Sequence, residues 1–521
     1  MKFNWRNPLW TFGFVLLWRV ALLVFTAQPI PASDAFFYDG AVVNWLRHGH
    51  YFNPAIADLF PISGSQVFSA YPPGYQAAVL VWMTVFGTSV ISSMALHLAL
   101  FTVSGFLVLA LMKMFFPPAA NHAVVVLLFL GMTFGDRPED LAHVFGLGSL
   151  LLVMRHIAGH GGWKPAAVVT LLLLVALFTS PVAAAFYFGV GFVAVAAAWL
   201  AHRRHIVFMP FVAAAVMFVV ITFAIARLEP LWWQGFMETA RQQSVVTTGF
   251  HLPRGLETIK LVRNAPVFLL ALAFVPAALA RRKELAGDSW LLLTAGIFTA
   301  GWALLVASVT LLAPNYVGYV LFLQIILAAG LLTLGGKLFP GKTPWPTILI
   351  LGCAALVSIR AVGMTTWGAA CAWKNNCGRT QAVLRAELAP FTQTNLPVLV
   401  SSAYLYSAAE FGVRRYVYSD WYFNHAAWTN DAEINALARL KPAKLVLTQF
   451  DYYRVFVLVL ERLRQHPELV EFTVRNQAAV RTPDSFPSLQ RVVQHISWAP
   501  VIVDLAWKNL PAPAANSTPA R

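Results

Sequence analysis

Long apolar runs follow one another along this chain, separated by short segments that carry Lys or Arg. They cover residues 9–27, 90–112, 119–134, 139–154, 165–179, 181–201, 206–226, 265–280, 290–313, 316–336 and 345–366. A membrane-spanning helix needs about 20 apolar residues, fewer if it is short and enclosed in a bundle. Only 11% of the 521 residues are charged and 59% are apolar, whereas soluble chains carry about 25% charged residues. A soluble multidomain protein and a disordered one are both excluded. The expected fold class is a polytopic α-helical membrane protein with eleven spans.

The net charge is +15. In a soluble protein that balance would suggest nucleic acid; between apolar runs it encodes topology, and no nucleic-acid partner is expected. The basic clusters are Lys2/Arg6, Lys113, Arg155/Lys164, Arg203/Arg204, Arg281/Arg282/Lys283 and Lys337/Lys342. With the N-terminus inside and eleven spans, all of them are cytoplasmic and the C-terminus is external. The apolar segment Pro73–Phe86 is about 14 residues long, which suits a juxtamembrane or re-entrant helix. Counting it as a span would export every later cluster. Ser180-Pro181 divides 165–201 into a hairpin of two short spans. The first apolar run is long and lacks a small-residue cleavage site, so no cleavable signal is expected. The expected location is a bacterial inner membrane, with the C-terminal domain in the periplasm.

Three stretches are then external. Residues 28–89 form a long first loop within a transmembrane domain, 1–366, and 228–264 form a second loop. Residues 367–510 have ordinary polarity and read as a small α/β domain, followed by a Pro/Ala/Ser-rich disordered tail, 511–521. Strands are expected at Pro397–Ser402, Tyr416–Ser419, Lys444–Thr448, Val470–Val474 and Val501–Leu505. Helices are expected at Gln381–Leu388, Glu433–Leu440 and Tyr453–Gln465.

Charged and aromatic motifs gather on this external side. The first loop begins Ser33-Asp34-Ala35-Phe36-Phe37-Tyr38-Asp39-Gly40. Ser33 suits an N-cap and Asp34 the first helical turn, where the dipole favours a carboxylate. Phe37, Ala41 and Trp45, with Val42 and Leu46, make an apolar stripe expected to lie on the membrane surface, with Gly49 ending the helix. Asp34 is either a capping carboxylate or a functional one. Asp136, Arg137, Glu139 and Asp140 form a charged cluster around Pro138, which suits a helix start. Phe68-Ser69-Ala70-Tyr71-Pro72-Pro73-Gly74-Tyr75 is a rigid turn with interfacial aromatics. Arg241, Arg254, Lys260 and Arg263 lie in the second external loop.

Together these features resemble the GT-C glycosyltransferases, in the protein O-mannosyltransferase-like and lipid A aminoarabinose transferase-like group. The resemblance covers roughly residues 1–366. It implies a polyprenyl-phosphate sugar donor and transfer on the non-cytoplasmic face, commonly with inversion. It implies that Asp34 is the base or acceptor-orienting carboxylate and that Glu139, or else Asp136, is the second acidic position. The family often has a basic residue before the Pro-Pro pair; Tyr71 stands there in this chain. The donor phosphate contact would then fall to Arg137, Arg254, Lys260 or Arg263.

The chemistry fits the residues as well. A glycosyl phosphate is already activated, so the protein must supply a base for the acceptor hydroxyl and cations for the departing phosphate. No Gly-rich nucleotide loop is evident. A divalent metal is open: Asp34, Asp136 and Glu139 offer oxygen ligands, and no spacing demands one. The acceptor would be a glycan, lipid or protein of the envelope. The alternatives are a lipid-linked glycan transporter or flippase, and a surface-polysaccharide polymerase or ligase. A transporter should scatter charges near the midplane and show repeat symmetry; here they collect at one face.

The remaining polar residues carry less. Arg19 in the first span should face the bundle and form a salt bridge. His48, His50, His143 and His251 show no metal-ligand spacing, and Trp232 and Trp233 read as interface anchors. Cys371 and Cys377 are spaced for a local disulfide in an oxidising compartment, and Cys353 reads as a buried thiol.

Overall fold

The computed structural model describes residues 8–25, 35–117, 137–159, 165–202, 208–247, 266–285, 288–311, 321–339, 347–350, 352–353, 362, 377–419, 432–448, 451–452, 456–476 and 500–508. In chain order the principal elements are α1 (Pro8–Phe25), α2 (Ala35–His48), α3 (Gly74–Phe86), α4 (Val90–Phe115), α5 (Glu139–Ile157), α6 (Ala166–Thr179), α7 (Pro181–His202), α8 (Met209–Leu228), α9 (Pro230–Thr247), α10 (Pro266–Ala280), α11 (Ser289–Leu311), α12 (Leu321–Leu338) and α13 (Cys377–Leu388), then β1 (Val398–Val400), α14 (Leu405–Glu410), β2 (Tyr416–Tyr418), α15 (Ala432–Leu440), β3 (Lys444–Leu447), α16 (Val457–Leu463), β4 (Val470–Arg475) and β5 (Val501–Trp507). The chain divides into two compact units. The first is Met1–Val24 with Val67–Trp367, and the second is Phe25–Gln66 with Gly368–Arg521.

The first unit is helical. Among the described residues, five helices are long and apolar enough to cross a membrane: Val90–Phe115, Glu139–Ile157, Pro181–Leu200, Met209–Leu228 and Ser289–Val306. Shorter apolar helices include Gly74–Phe86 and Ala166–Thr179. The 14 residues of α6 rise about 21 Å, short of a hydrocarbon core of about 30 Å. The expected runs 119–134 and most of 345–366 lie outside the described residues. The expected break at Ser180 is present: its backbone is extended (φ −150°, ψ 102°), because a residue before proline avoids helical geometry. The core of the unit is aliphatic and aromatic, with Leu111, Leu147, Phe268, Leu293 and Ile326 fully buried. On α8, Met209, Val212, Val216, Val219 and Phe223 form an outward apolar stripe, which hydrocarbon tolerates and water does not. Arg19 is 3% exposed, as expected for an inward-facing residue, with its guanidinium 5.8 Å from the Phe101 ring. Trp232 is buried and stacks on Phe236, whereas Trp233 is exposed. Cys353, expected to be buried, is half-buried. Residue 371 lies outside the described residues, as does the side chain of Cys377.

The second unit holds a five-stranded sheet of order β2-β1-β3-β5-β4. β1 pairs in parallel with β2 and β3; β5 is antiparallel to β3 and β4. All five strands form where the sequence places them. Leu399, Leu437, Leu445, Leu463 and Val503 fill the core behind them. Residues 25–66, expected to belong with the transmembrane part, group instead with this unit. The apolar stripe of α2 is covered largely by protein. Every residue from Ala35 to Asn44 is buried: Phe36 meets Tyr406 edge to face at 4.9 Å, and Arg47 donates to the carbonyls of Ala409 and Glu410. Only Trp45 and Leu46 of the stripe stay exposed. Gly49 ends the helix as expected, with φ +76° and its N–H on the Trp45 carbonyl.

One ion network ties α13 to the sheet. Glu387 accepts from Arg475 through both oxygens and also from Lys444, and Asp504 completes it. The hydrogen bonds from Arg475 and then Lys444, helped by their charges and opposed by burial, hold the Glu387 carboxyl down at about 2. A carboxyl so depressed stabilises the fold above its ordinary range, and that contribution disappears as pH falls from about 4.5 toward 2. Glu387→Gln should therefore lower the thermal midpoint at pH 7 and flatten its decline between pH 5 and 3, measured by tryptophan fluorescence. An equally steep acid decline in variant and wild type would remove Glu387 from acid sensitivity.

Candidate functional site

In the first unit, polar side chains from separate segments meet at the start of α5. Pro138 (φ −53°, ψ −26°) precedes this helix and puts Glu139 and Asp140 in its first turn, where the dipole favours carboxylates. Tyr71 comes from the Pro-Pro turn before α3, and Ser180 from the break between α6 and α7. Glu139 is 3% exposed. Its Oε1 accepts from the Tyr71 hydroxyl at 2.9 Å and from Ser180 Oγ at 3.2 Å. Its Oε2 accepts no hydrogen bond among the described residues and faces Arg137 Nε at 3.8 Å. The Arg137 side chain is 29% exposed. A sealed carboxylate thus holds a phenol and faces an arginine whose side chain is partly exposed.

A second chain of bonds starts from the adjacent residue. Asp140 Oδ2 lies 2.8 Å from His97 Nδ1, and His97 Nε2 lies 3.0 Å from the Tyr75 hydroxyl. An ionised carboxylate only accepts, so facing one His97 donates from Nδ1, and with a neutral ring Nε2 accepts a hydrogen bond from the Tyr75 hydroxyl. Tyr75 and His97 are buried, whereas the Asp140 side chain is 24% exposed. One turn further along α5, His143 bonds the Tyr187 hydroxyl at 2.6 Å.

Gly74 permits this convergence. A Cβ there would lie 2.8 Å from the Phe178 carbonyl oxygen at the end of α6, and backbone cannot give way as a side chain can. Gly74→Ala should destabilise the protein by about 1–3 kcal/mol, as overpacking does, and loosen Tyr71 from Glu139. Thermal unfolding in detergent measures this; a midpoint within a degree of wild type would show that the two helix ends separate freely.

Of the residues singled out in the sequence, Tyr71, Arg137 and Glu139 come together. Asp34, Asp136, Arg254, Lys260 and Arg263 lie outside the described residues, as does His251. In the second unit, the buried Asp39, five residues after Asp34, accepts from the Tyr406 hydroxyl at 2.5 Å. Sequence reasoning missed His97, Tyr75 and Ser180 as site residues. His97 had a usable signal: a titratable ring inside an apolar run marks a functional position. Among the described residues no group of three or more His, Cys, Asp or Glu is placed to hold a metal. Glu139 does not fit a ligand role in this arrangement, because a cation at Oε2 would stand against the guanidinium.

No family model matches the chain, and no curated protein matches it. Among solved structures, the chain is similar to the oligosaccharyltransferase of Archaeoglobus fulgidus in complex with Zn and sulfate, at 14% identity, covering 85% of this chain and 68% of that one, with a TM-score of 0.46. It is similar to ArnT from Cupriavidus metallidurans in the apo state at 13% identity, covering 94% and 97%, with a TM-score of 0.46. A third, the archaeal oligosaccharyltransferase AglB from Archaeoglobus fulgidus with an inhibitory peptide and a dolichol-phosphate, aligns at 12% identity over 86% and 70%, with a TM-score of 0.44. Likeness of this degree transfers no residue role and no substrate.

Proposed function

We propose that this chain is a GT-C-type glycosyltransferase that moves a sugar from a polyprenyl-phosphate donor to an envelope acceptor on the external face of the membrane. The observation that carries the reading is the Tyr71–Glu139 hydrogen bond, which joins positions 68 residues apart. It unites the Tyr-Pro-Pro-Gly-Tyr and Arg-Pro-Glu segments, two of the motifs that suggested the family. In the reaction, an acceptor oxygen bonds to the sugar's anomeric carbon, and the bond to the lipid phosphate breaks with its electron pair on the phosphate oxygen. The acceptor proton goes to a carboxylate, assigned to Asp34. Arg137, paired with Glu139 and partly exposed along its side chain, neutralises the departing phosphate. Tyr71 orients beside it, and Glu139 acts by fixing both. Arg254, Lys260 and Arg263 remain candidates for further phosphate contacts, and Asp136 for substrate binding.

The topology belongs to the same proposal: eleven spans, N-terminus cytoplasmic, tail periplasmic. Reporter fusions after residues 113, 283 and 366 should read inside, inside and outside. Cytoplasmic activity after 366 would overturn the orientation.

Incubation of the purified protein with radiolabelled polyprenyl-phosphate sugars and an envelope extract tests the activity. Label in a non-lipid or lipid acceptor, with release of polyprenyl phosphate, supports transfer. Label that changes leaflet without a new covalent bond would favour the transporter alternative.

A further inference from the structure

Gln76 has no part in the chemistry above, yet among the described residues of the first unit its whole carboxamide is left without a hydrogen bond. It is 2% exposed. Both polar atoms of its carboxamide, Oε1 and Nε2, are sealed from solvent and have no hydrogen-bond partner among the described residues. Buried polar groups are paired in the great majority of cases, and an orphan calls for a physical reason. An unbranched apolar side chain of similar length would pack there without that penalty, so the amide lowers stability where it stands.

Its place suggests the reason. Gln76 shares the buried face of α3 with Tyr75, Val79 and Met83. Tyr75, next to it, reaches Asp140 through His97, and Tyr71, five residues earlier, bonds Glu139. The stretch carrying Gln76 is therefore tied twice to the first turn of α5. We propose that Gln76 binds the sugar of the lipid-linked donor, its carbonyl accepting from one hydroxyl and its NH2 donating to a neighbouring one. The proposal rests on the sugar-transfer reading of this site. An ionised phosphate only accepts and would leave Oε1 unpaired; a prenyl chain offers neither partner. A vicinal diol offers a donor and an acceptor at the spacing of one carboxamide. The three rotatable side-chain bonds allow the amide to turn toward such a ligand.

The test uses the full-length protein in detergent, with Gln76→Met as a near-isosteric variant and Gln76→Leu as a second in case the first fails to fold. Undecaprenyl-phosphate glucose, galactose, mannose and arabinose establish the preferred wild-type donor, and monodeoxy analogues of that donor follow. In Gln76→Met the donor KM should rise about 10–100-fold, as for the loss of two neutral hydrogen bonds. The thermal midpoint without donor should stay equal or rise. The wild-type penalty for one monodeoxy donor should vanish in the variant, because that hydroxyl has already lost its partner. An unchanged KM with the deoxy penalty intact would overturn the proposal, and so would a lowered midpoint with an unchanged KM, the pattern of an amide bonded within the protein. Failure of the wild type itself to transfer any of the four sugars would instead remove the sugar-transfer reading, and the role of Gln76 with it.

Discussion

Asp34→Asn is expected to lower sugar transfer by about 10²–10⁴-fold, the usual worth of a general base, while leaving the protein folded. The amide keeps the size and polarity of the carboxylate but cannot take the acceptor proton. Asn is also well tolerated at helix starts, so the folded yield and thermal midpoint should hardly change. Donor binding should survive, because the phosphate contact is assigned to Arg137, Arg254, Lys260 or Arg263. If Asp34 only caps a helix, the pattern reverses: turnover stays normal and stability shifts slightly. Single-turnover transfer beside a donor-binding assay, at matched detergent-solubilised yield, separates the two. Near-wild-type transfer would take Asp34 out of the mechanism and leave Glu139 or Asp136 as the next candidate base.

Arg137→Ala should lower transfer by about 10²–10³-fold, the size expected when one preorganised donor to a developing anion is removed. The reason lies in its surroundings. Glu139 Oε2 faces the guanidinium at 3.8 Å and fixes it from one side, while 29% of the arginine side chain stays open to a ligand. Without Arg137, Glu139 still keeps its bonds from Tyr71 and Ser180, so the helix ends should stay together. Arg137→Lys should recover part of the loss, since a point charge restores attraction but not the planar, two-pronged contact. Both donor KM and kcat are read, because the phosphate is held in the ground state and gains charge as it leaves. Full activity in Arg137→Ala would move the phosphate contact to Arg254, Lys260 or Arg263.

Much of the local structure was legible because it depends on local physics. The break at Ser180 follows from Pro181 alone. Gly49 ends α2 because its φ of +76° suits glycine. The five strands of the second unit stand where short β-type runs alternate with helical stretches. The start of α5 at Glu139 was readable from Pro138. Each is decided by a few neighbouring residues, whatever the rest of the chain does.

The partners of those elements were not legible. The stripe Phe37, Ala41 and Val42 says that α2 must leave water. Lipid and protein satisfy that demand equally, because burial of apolar surface is non-directional. Only the tertiary structure shows α2 packed on other protein segments, with Phe36 against Tyr406 and Asp39 bonded to the same phenol. Likewise the charged cluster around Pro138 read as a helix start, and Tyr71 as part of a rigid turn. Their hydrogen bond crosses 68 residues, and the His97–Asp140 bond crosses 43. By itself, then, the sequence determined where the five strands form, where α2 ends and α5 begins, and which stretches must leave water, since these follow from backbone sterics and solvent avoidance over a few residues. Which carboxylate is sealed, which phenol it holds and which amide is left without a partner were decided by tertiary structure alone, because a hydrogen bond is directional and short-ranged and exists only once distant segments have been packed to within about 3 Å.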